Sequence, residues 1–260
     1  MTLAQRFSIS TRQYSRSSPF SECALIHSGG KHLKPFILCL DTSESTCSVV
    51  LSQGDEVISF QQSSQPRQHT QLIWPMIHTV LNEASLNLNQ LNAIACVSGP
   101  GGFTGVRVGC AVTQGIASGL DCPVISINTL EALGYSQLDQ GIGEMSLIWP
   151  MMDARMGAVY TALYEGMNGQ LESLLPIQMK TYDALSMWVD QCDHSKLIYG
   201  VGSGWSVSDV SKYWSVLSEP VHIASITPQA IARLADQKWC DQDYCAVIDF
   251  KPLYLRREVV

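Results

Sequence analysis

Four of the chain's nineteen glycines fall within seven positions, Gly99 to Gly105, in the run VSGPGGFTGVRVGCAV at 97–112. Glycine at that density lets a backbone approach a phosphate, and amides at a strand-to-helix turn offer an anion several donors. The standard phosphate loops do not fit. A Walker loop needs GxxxxGK[ST], and no glycine pair here has a lysine at that spacing. A dinucleotide loop needs GxGxxG, and Thr104 stands where the third glycine belongs. A looser anion site remains, in which Gly101, Gly102 and Thr104 would line a cleft near Arg107. Packing is the preferred reading, because Gly105, Gly109, Ala111, Gly115 and Gly119 carry small residues on into a helix. Each glycine inside a helix costs about 1 kcal/mol against alanine. A run of them therefore suits a helix that another backbone must approach closely.

Asp41 and Asp153 each follow an apolar strand and begin a polar turn. Facing carboxylates of this kind can hold magnesium in a nucleotide cleft; equally, each can cap its own turn. Both readings stand at this level. The six histidines form neither HxxxH nor HExxH, and no GxSxG elbow is present. His69, at the start of a helical run, reads as a capping and packing residue, with contact to a partner as its second reading. The tryptophans lack accompanying basic clusters and read as packing groups rather than a base-stacking platform.

Those residues need elements to position them. FILCLDTS, CSVVLSQ and EVISFQQ read as three antiparallel strands, with Gly54-Asp55 as one turn. Residues 69–86 place Leu72, Ile73, Met76, Ile77, Val80, Leu81 and Ala84 on one helical face, with a kink or restart at Pro75. AIACV is a buried strand before the glycine loop, 105–119 a helix, VISIN a strand, and a further helix begins near Thr129. The pattern then restarts. SLIWPMMDARMGAVYTALYEG repeats the strand–Asp–strand order, and LESLLPIQM supplies a third strand. Residues 181–191 read as helix, KLIYGVGSG as a strand into a turn, and TPQAIARLADQKW as a helix with Thr227 as N-cap and Pro228 at its first position. One order of elements occurring twice implies a duplicated α/β lobe.

Composition narrows the function classes. The chain of 260 residues has a net charge of −7, which disfavours stand-alone binding to DNA or RNA, since phosphate neutralisation supplies most of that affinity. No apolar run is long enough to span a membrane. Nine scattered cysteines without a CxxC pair read as reduced, buried, cytoplasmic thiols. Residues 1–35 carry five Lys or Arg against one acid and no apolar periodicity. They read as a disordered extension or an early start, with folding beginning near Phe36. Their composition also faintly resembles an organelle transit peptide.

ILCLDTS, HTQLIWPMI, VSGPGGFTGVRVG, MMDARMGAVY and KPLYLRREVV together resemble the TsaB (YeaZ) family, in order from about Phe36 to the end. The resemblance implies an α/β fold of two duplicated ribonuclease-H-like lobes of the ASKHA (actin, sugar kinase, Hsp70) type, here 36–136 and a smaller 137–260. It also implies a non-catalytic scaffold in the complex that transfers threonylcarbamoyl to adenosine beside the tRNA anticodon. The implied partners are the TsaD transferase, the TsaE ATPase and a second copy of the chain, with tRNA reached through the complex. The chain alone would bind no cofactor, while the assembly uses ATP and magnesium. TsaD paralogues carry an HxxxH metal motif, and its two positions fall here on Thr129 and Leu133, which make a poor and an impossible ligand. The implied partner interface comprises His69, Leu72, Met76, Val80, Val106, Gly109, Cys110 and Gln114. A stand-alone ATP-dependent phosphotransferase using Asp41 and Asp153 is the alternative.

Overall fold

β1 (Phe36–Asp41) runs antiparallel to β2 (Cys47–Gln53), and β2 to β3 (Glu56–Ser63), around a turn in which Gly54 takes a φ of +63°. These elements belong to a computed structural model that describes residues 34–65, 68–141, 145–190, 192–219, 221 and 225–255. The expectations for the extension at 1–35 therefore lie, apart from Lys34 and Pro35, outside the described residues.

After β3 comes α1 (His69–Glu83), which continues through Pro75 without a restart. β4 (Ala93–Gly99) is parallel to β1 and buried along its whole length. α2 (Phe103–Leu120) leads to β5 (Val124–Asn128), and α3 (Thr129–Leu138) follows at once. Asn128 makes that tight junction, because its Oδ1 accepts from Leu130 N at 2.8 Å and caps α3. The second half supplies β6 (Leu147–Arg155), β7 (Ala158–Met167), β8 (Gln170–Thr181), α4 (Ser186–Val189), β9 (Ile198–Val201) and α5 (Pro228–Cys240). The helix expected over 181–191 is only α4 behind a short 3₁₀ turn at Asp183–Leu185. α5 begins as its sequence dictates: Thr227 Oγ1 accepts from Ala230 N at 3.2 Å, and Pro228 occupies the first turn.

The first sheet has the order β3-β2-β1-β4-β5, and among the described residues the second has β8-β7-β6-β9. In each, two antiparallel hairpin partners flank the opening strand on one side and a parallel strand lies on the other. The second sheet thus repeats the first without its fifth strand, the duplicated ribonuclease-H-like plan.

Alternation along the strands separates three cores. One face of the first sheet, through Leu38, Leu40, Val49 and Ile94, packs under Ile73, Ile77 and Val80 of α1 and Val106 and Ile116 of α2. The outer face of the second sheet holds a tryptophan core. There Trp149 donates to Thr161 Oγ1 at 2.8 Å and Trp205 to the Trp149 carbonyl at 2.9 Å, and their rings meet edge-on, 5.2 Å apart. Between the sheets lies the third core, which joins Ile37, Cys39, Val97 and Ile127 to Ile148 and Ala162 through α3 and α5.

The two inner helices cross over. α3 follows the first sheet in sequence yet packs on β6, β7 and β8. α5, which ends the second half, packs on β1, β2, β3 and β5. The expected lobe boundary at 136 falls inside α3. Ile231 on α5 is fully buried in the shared core. Ile231→Ala is expected to destabilise the whole chain by about 3 kcal/mol, the usual cost of such a cavity. Urea unfolding followed by circular dichroism should show one cooperative transition moved to lower urea.

Candidate functional site

The glycine loop meets the turn after β1. Gly102 N donates to the Ser43 carbonyl at 2.7 Å, and Thr42 Oγ1 donates to the Gly105 carbonyl at 2.7 Å. A Cβ on Gly101 would lie 2.3 Å from Ser43 O, one on Gly105 2.0 Å from Thr42 O, and one on Gly109 2.5 Å from Thr42 Oγ1. Nothing larger than glycine fits at these three positions without moving backbone or the Thr42 side chain. The close approach that the glycines permit is thus to the chain's own β1–β2 turn.

Gly115 and Gly119 differ. A Cβ on either would meet nothing within 4 Å. With Arg107 and Ala111 they form an exposed stripe four residues apart along α2. On α1, Trp74 and His78 are exposed.

A cleft of about 1750 Å³ opens between the glycine loop and the ends of β6 and β9. Gly101, Gly102, Thr104, Val106 and His69 line one side of it, and Asp153, Arg155 and Ser203 the other. Asp41 is not among its lining residues. It is 3 % exposed, and its Oδ1 accepts from Ser43 N at 2.8 Å and Ser43 Oγ at 2.7 Å. Burial pushes its carboxyl above the usual range, against the pull of those two bonds. Asp153 repeats the arrangement. Its Oδ1 accepts from Arg155 N at 2.8 Å, and its Oδ2 lies 3.1 Å from the Arg155 guanidinium. Both aspartates cap their own turns, and the paired-carboxylate reading of Asp41 gives way to that local role. Among the described residues, no group of three or more His, Cys, Asp or Glu side chains could hold a metal ion.

Most of the interface residues expected from the sequence lie inward. Met76, Val80, Val106 and Cys110 belong to the core beneath α1 and α2, and Gly109 faces Thr42. Leu72 is half-buried against that core. Gln114 holds the C-terminal segment, donating to the Phe250 carbonyl at 3.2 Å. His69 does not cap α1. It is the helix's first residue, after a Gln68 that makes no side-chain cap, and its Nδ1 is buried without a hydrogen-bond partner among the described residues. Helical periodicity correctly located the apolar face, but that face turns towards the sheet.

Two features carried no sequence signal. Glu44 reaches into the cleft, where Ser203 Oγ of the second half donates to its Oε1 at 3.1 Å. Burial, and then the neighbouring charge of Asp41, push the Glu44 carboxyl up to about 7. The second feature is a strap. Leu253 N donates to the Ser98 carbonyl at 2.9 Å, Arg107 Nε donates to the Tyr254 hydroxyl at 2.9 Å, and the same guanidinium lies 3.5 Å over the Phe103 ring. The strap brings Leu253, Tyr254 and Leu255 to the cleft. Only the fold brings positions 44 and 203, or 107 and 254, together.

A family model described as TsaD, tRNA N6-adenosine threonylcarbamoyltransferase, matches residues 56–195. The chain is 31% identical to the tRNA threonylcarbamoyladenosine biosynthesis protein TsaB of Haemophilus influenzae, across 86% of this chain and 94% of that protein. It is 30% identical to the protein of the same name from Escherichia coli, across 86% and 95%. The solved structure of YeaZ from Pseudomonas aeruginosa superposes with a TM-score of 0.73 at 27% identity, over 85% of this chain and all of that one.

Glu44 gives the cleft a pH dependence of definite sign. Its carboxyl is raised in the folded state from an ordinary value of 4.5 to about 7, so the folded chain holds the proton longer than the unfolded one. This group's contribution to stability therefore falls as pH rises from 4.5 towards 7 and stays low above it. Glu44→Gln is expected to flatten that part of the profile and raise stability at pH 8 by up to about 3 kcal/mol, following the free-energy equivalent of the shift. Urea midpoints of both proteins at pH 5 and pH 8 measure it. Gly105→Ala, which sets a methyl against the Thr42 carbonyl, should lower stability by about 3 kcal/mol at any pH, as overpacking does.

Proposed function

This chain belongs to the TsaB family, and from that premise we propose that it serves tRNA threonylcarbamoyladenosine biosynthesis as a non-catalytic subunit that docks a TsaD transferase on the exposed faces of α1 and α2. One observation carries the docking surface. Gly101, Gly105 and Gly109 are small because the chain's own turn presses on them, whereas Gly115 and Gly119 face open space. A glycine inside a helix costs about 1 kcal/mol against alanine, and nothing among the described residues accounts for that cost at these two. A partner helix packed over Arg107, Ala111, Gly115 and Gly119, beside Trp74 and His78, does. A second copy of the chain uses the same face when the transferase is absent.

The non-catalytic role has separate support. Thr129 and Leu133, where the resemblance to the transferase would place its two histidines, are both fully buried. The carboxylate of Asp41 is engaged in its own turn, which weighs against the stand-alone phosphotransferase. In this reading ATP and magnesium are used by the assembly, TsaE joins it, and tRNA is reached through the transferase. No helix among the described residues is long and apolar enough to cross a membrane, and we place the complex in the cytoplasm.

The test is modified nucleoside formed on unmodified tRNA from threonine, bicarbonate and ATP, with synthase, transferase and ATPase, in the presence and absence of this chain. Product is expected only when chain and transferase are both present. Product from the chain without the transferase would end the non-catalytic reading. Gly115→Leu should leave the melting temperature unchanged or higher and weaken TsaD binding at least tenfold by titration calorimetry. Undiminished affinity would remove α2 from the interface.

A further inference from the structure

Beneath α2, on the side away from its exposed stripe, two thiols face each other. Cys96 lies within β4 and is fully buried, Cys110 lies on the inward face of α2 and is 3 % exposed, and their Sγ atoms are 4.0 Å apart. Gly109 lies beside the pair, where the Thr42 hydroxyl, 2.5 Å from a Cβ placed there, leaves no room for a side chain. We propose that Cys96 and Cys110 are a modification site, at which a peroxide-class or disulfide-class oxidant forms an intramolecular disulfide that ties α2 to β4.

A disulfide needs sulfurs about 2.05 Å apart. The Thr42–Ser43 turn leaves α2 no room to move inward, so the remaining gap closes by rotation about the Cα–Cβ bonds during the same local opening that admits the oxidant. The two thiols are unequal. The contact between the sulfurs, in which either can donate, holds the Cys110 thiol below its ordinary value; the same contact, and then burial, keep Cys96 well above. The thiolate is the reactive form, so Cys110 reacts first. With hydrogen peroxide its sulfur attacks one oxygen, the O–O bond breaks, and the departing hydroxide takes a proton to leave as water, giving a sulfenic acid at Cys110. The Cys96 sulfur then attacks the Cys110 sulfur. The S–S bond forms, the S–O bond breaks, and the hydroxide leaves with the Cys96 proton as a second water. The two thiols give up two electrons and the peroxide is reduced to two waters. Both sulfurs are buried, so oxidant reaches them only when α2 opens locally, and the exposed Cys240 is modified faster. This inference does not depend on the subunit role proposed above.

The full chain would be treated with hydrogen peroxide, quenched, unfolded with iodoacetamide and digested without reductant. Mass spectrometry is expected to find the Cys96 and Cys110 peptides joined and lighter by two hydrogens, and to find Cys96 alkylated instead in Cys110→Ala. Both cysteines alkylated in the wild type after Cys240 is oxidised would overturn the site, as would either one linked to a different cysteine. The wild-type readout needs no variant, so a misfolded mutant does not weaken the test. The oxidised wild type is also expected to melt above the reduced form, with no such shift in Cys110→Ala. An equal or lower melting temperature would refute the tie between helix and strand.

Discussion

The carbonyls of Thr42 and Ser43 press against the first turns of α2 with no room for a side chain between them. The rest of the first half is arranged around that contact. It fixes where α2 starts and engages Gly102 N, the amide that would otherwise face an incoming anion. Its axial position then decides which helix residues lie inward and which outward. With Gly105 and Gly109 against the turn, Val106 and Cys110 enter the core and Arg107, Ala111 and Gly115 face out. A larger group at either inward glycine would lift the helix and with it one wall of the cleft.

The second organising feature is the crossing of α3 and α5 between the sheets. Each sheet is covered on its inner face partly by a helix from the other half of the sequence, so the halves share one core. The cleft therefore opens between walls fixed to a common interior. Across it Ser203 and Glu44 are joined by a hydrogen bond, and the buried carboxylate makes the charge state of that link depend on pH.

Much of this was legible in the sequence. Period-two runs gave the strands, the apolar spacing of 69–86 gave α1, and Thr227-Pro228 marked the start of α5 to the residue. The repeated strand–Asp–strand pattern gave the duplication. What failed was direction. Helical spacing shows that Met76 and Val80 share a face of α1, and Val106 and Cys110 a face of α2, but not whether those faces meet a sheet or a partner; burial places them against the sheet. The glycine pattern likewise merged two populations, Gly105 and Gly109 shaped by the chain itself and Gly115 and Gly119 facing outward. Glu44, Ser203 and the Arg107–Tyr254 contact were invisible because each depends on residues more than a hundred positions apart meeting in space.

The crossing has a consequence for how the chain comes into being. The first sheet's last strand, β5, ends at Asn128, but the sheet's inner face, met in part by α3, is not fully covered until α5 has formed, and the strap that seals β4 follows later still. During synthesis from the N-terminus, a ribosome must add more than a hundred further residues while that apolar surface stays open. Long-range closure of this kind is slow and leaves the nascent chain sticky. A polypeptide cut between the two sheets would not yield two folding halves. Its first fragment would keep the full set of strands and lack the helix that makes them soluble.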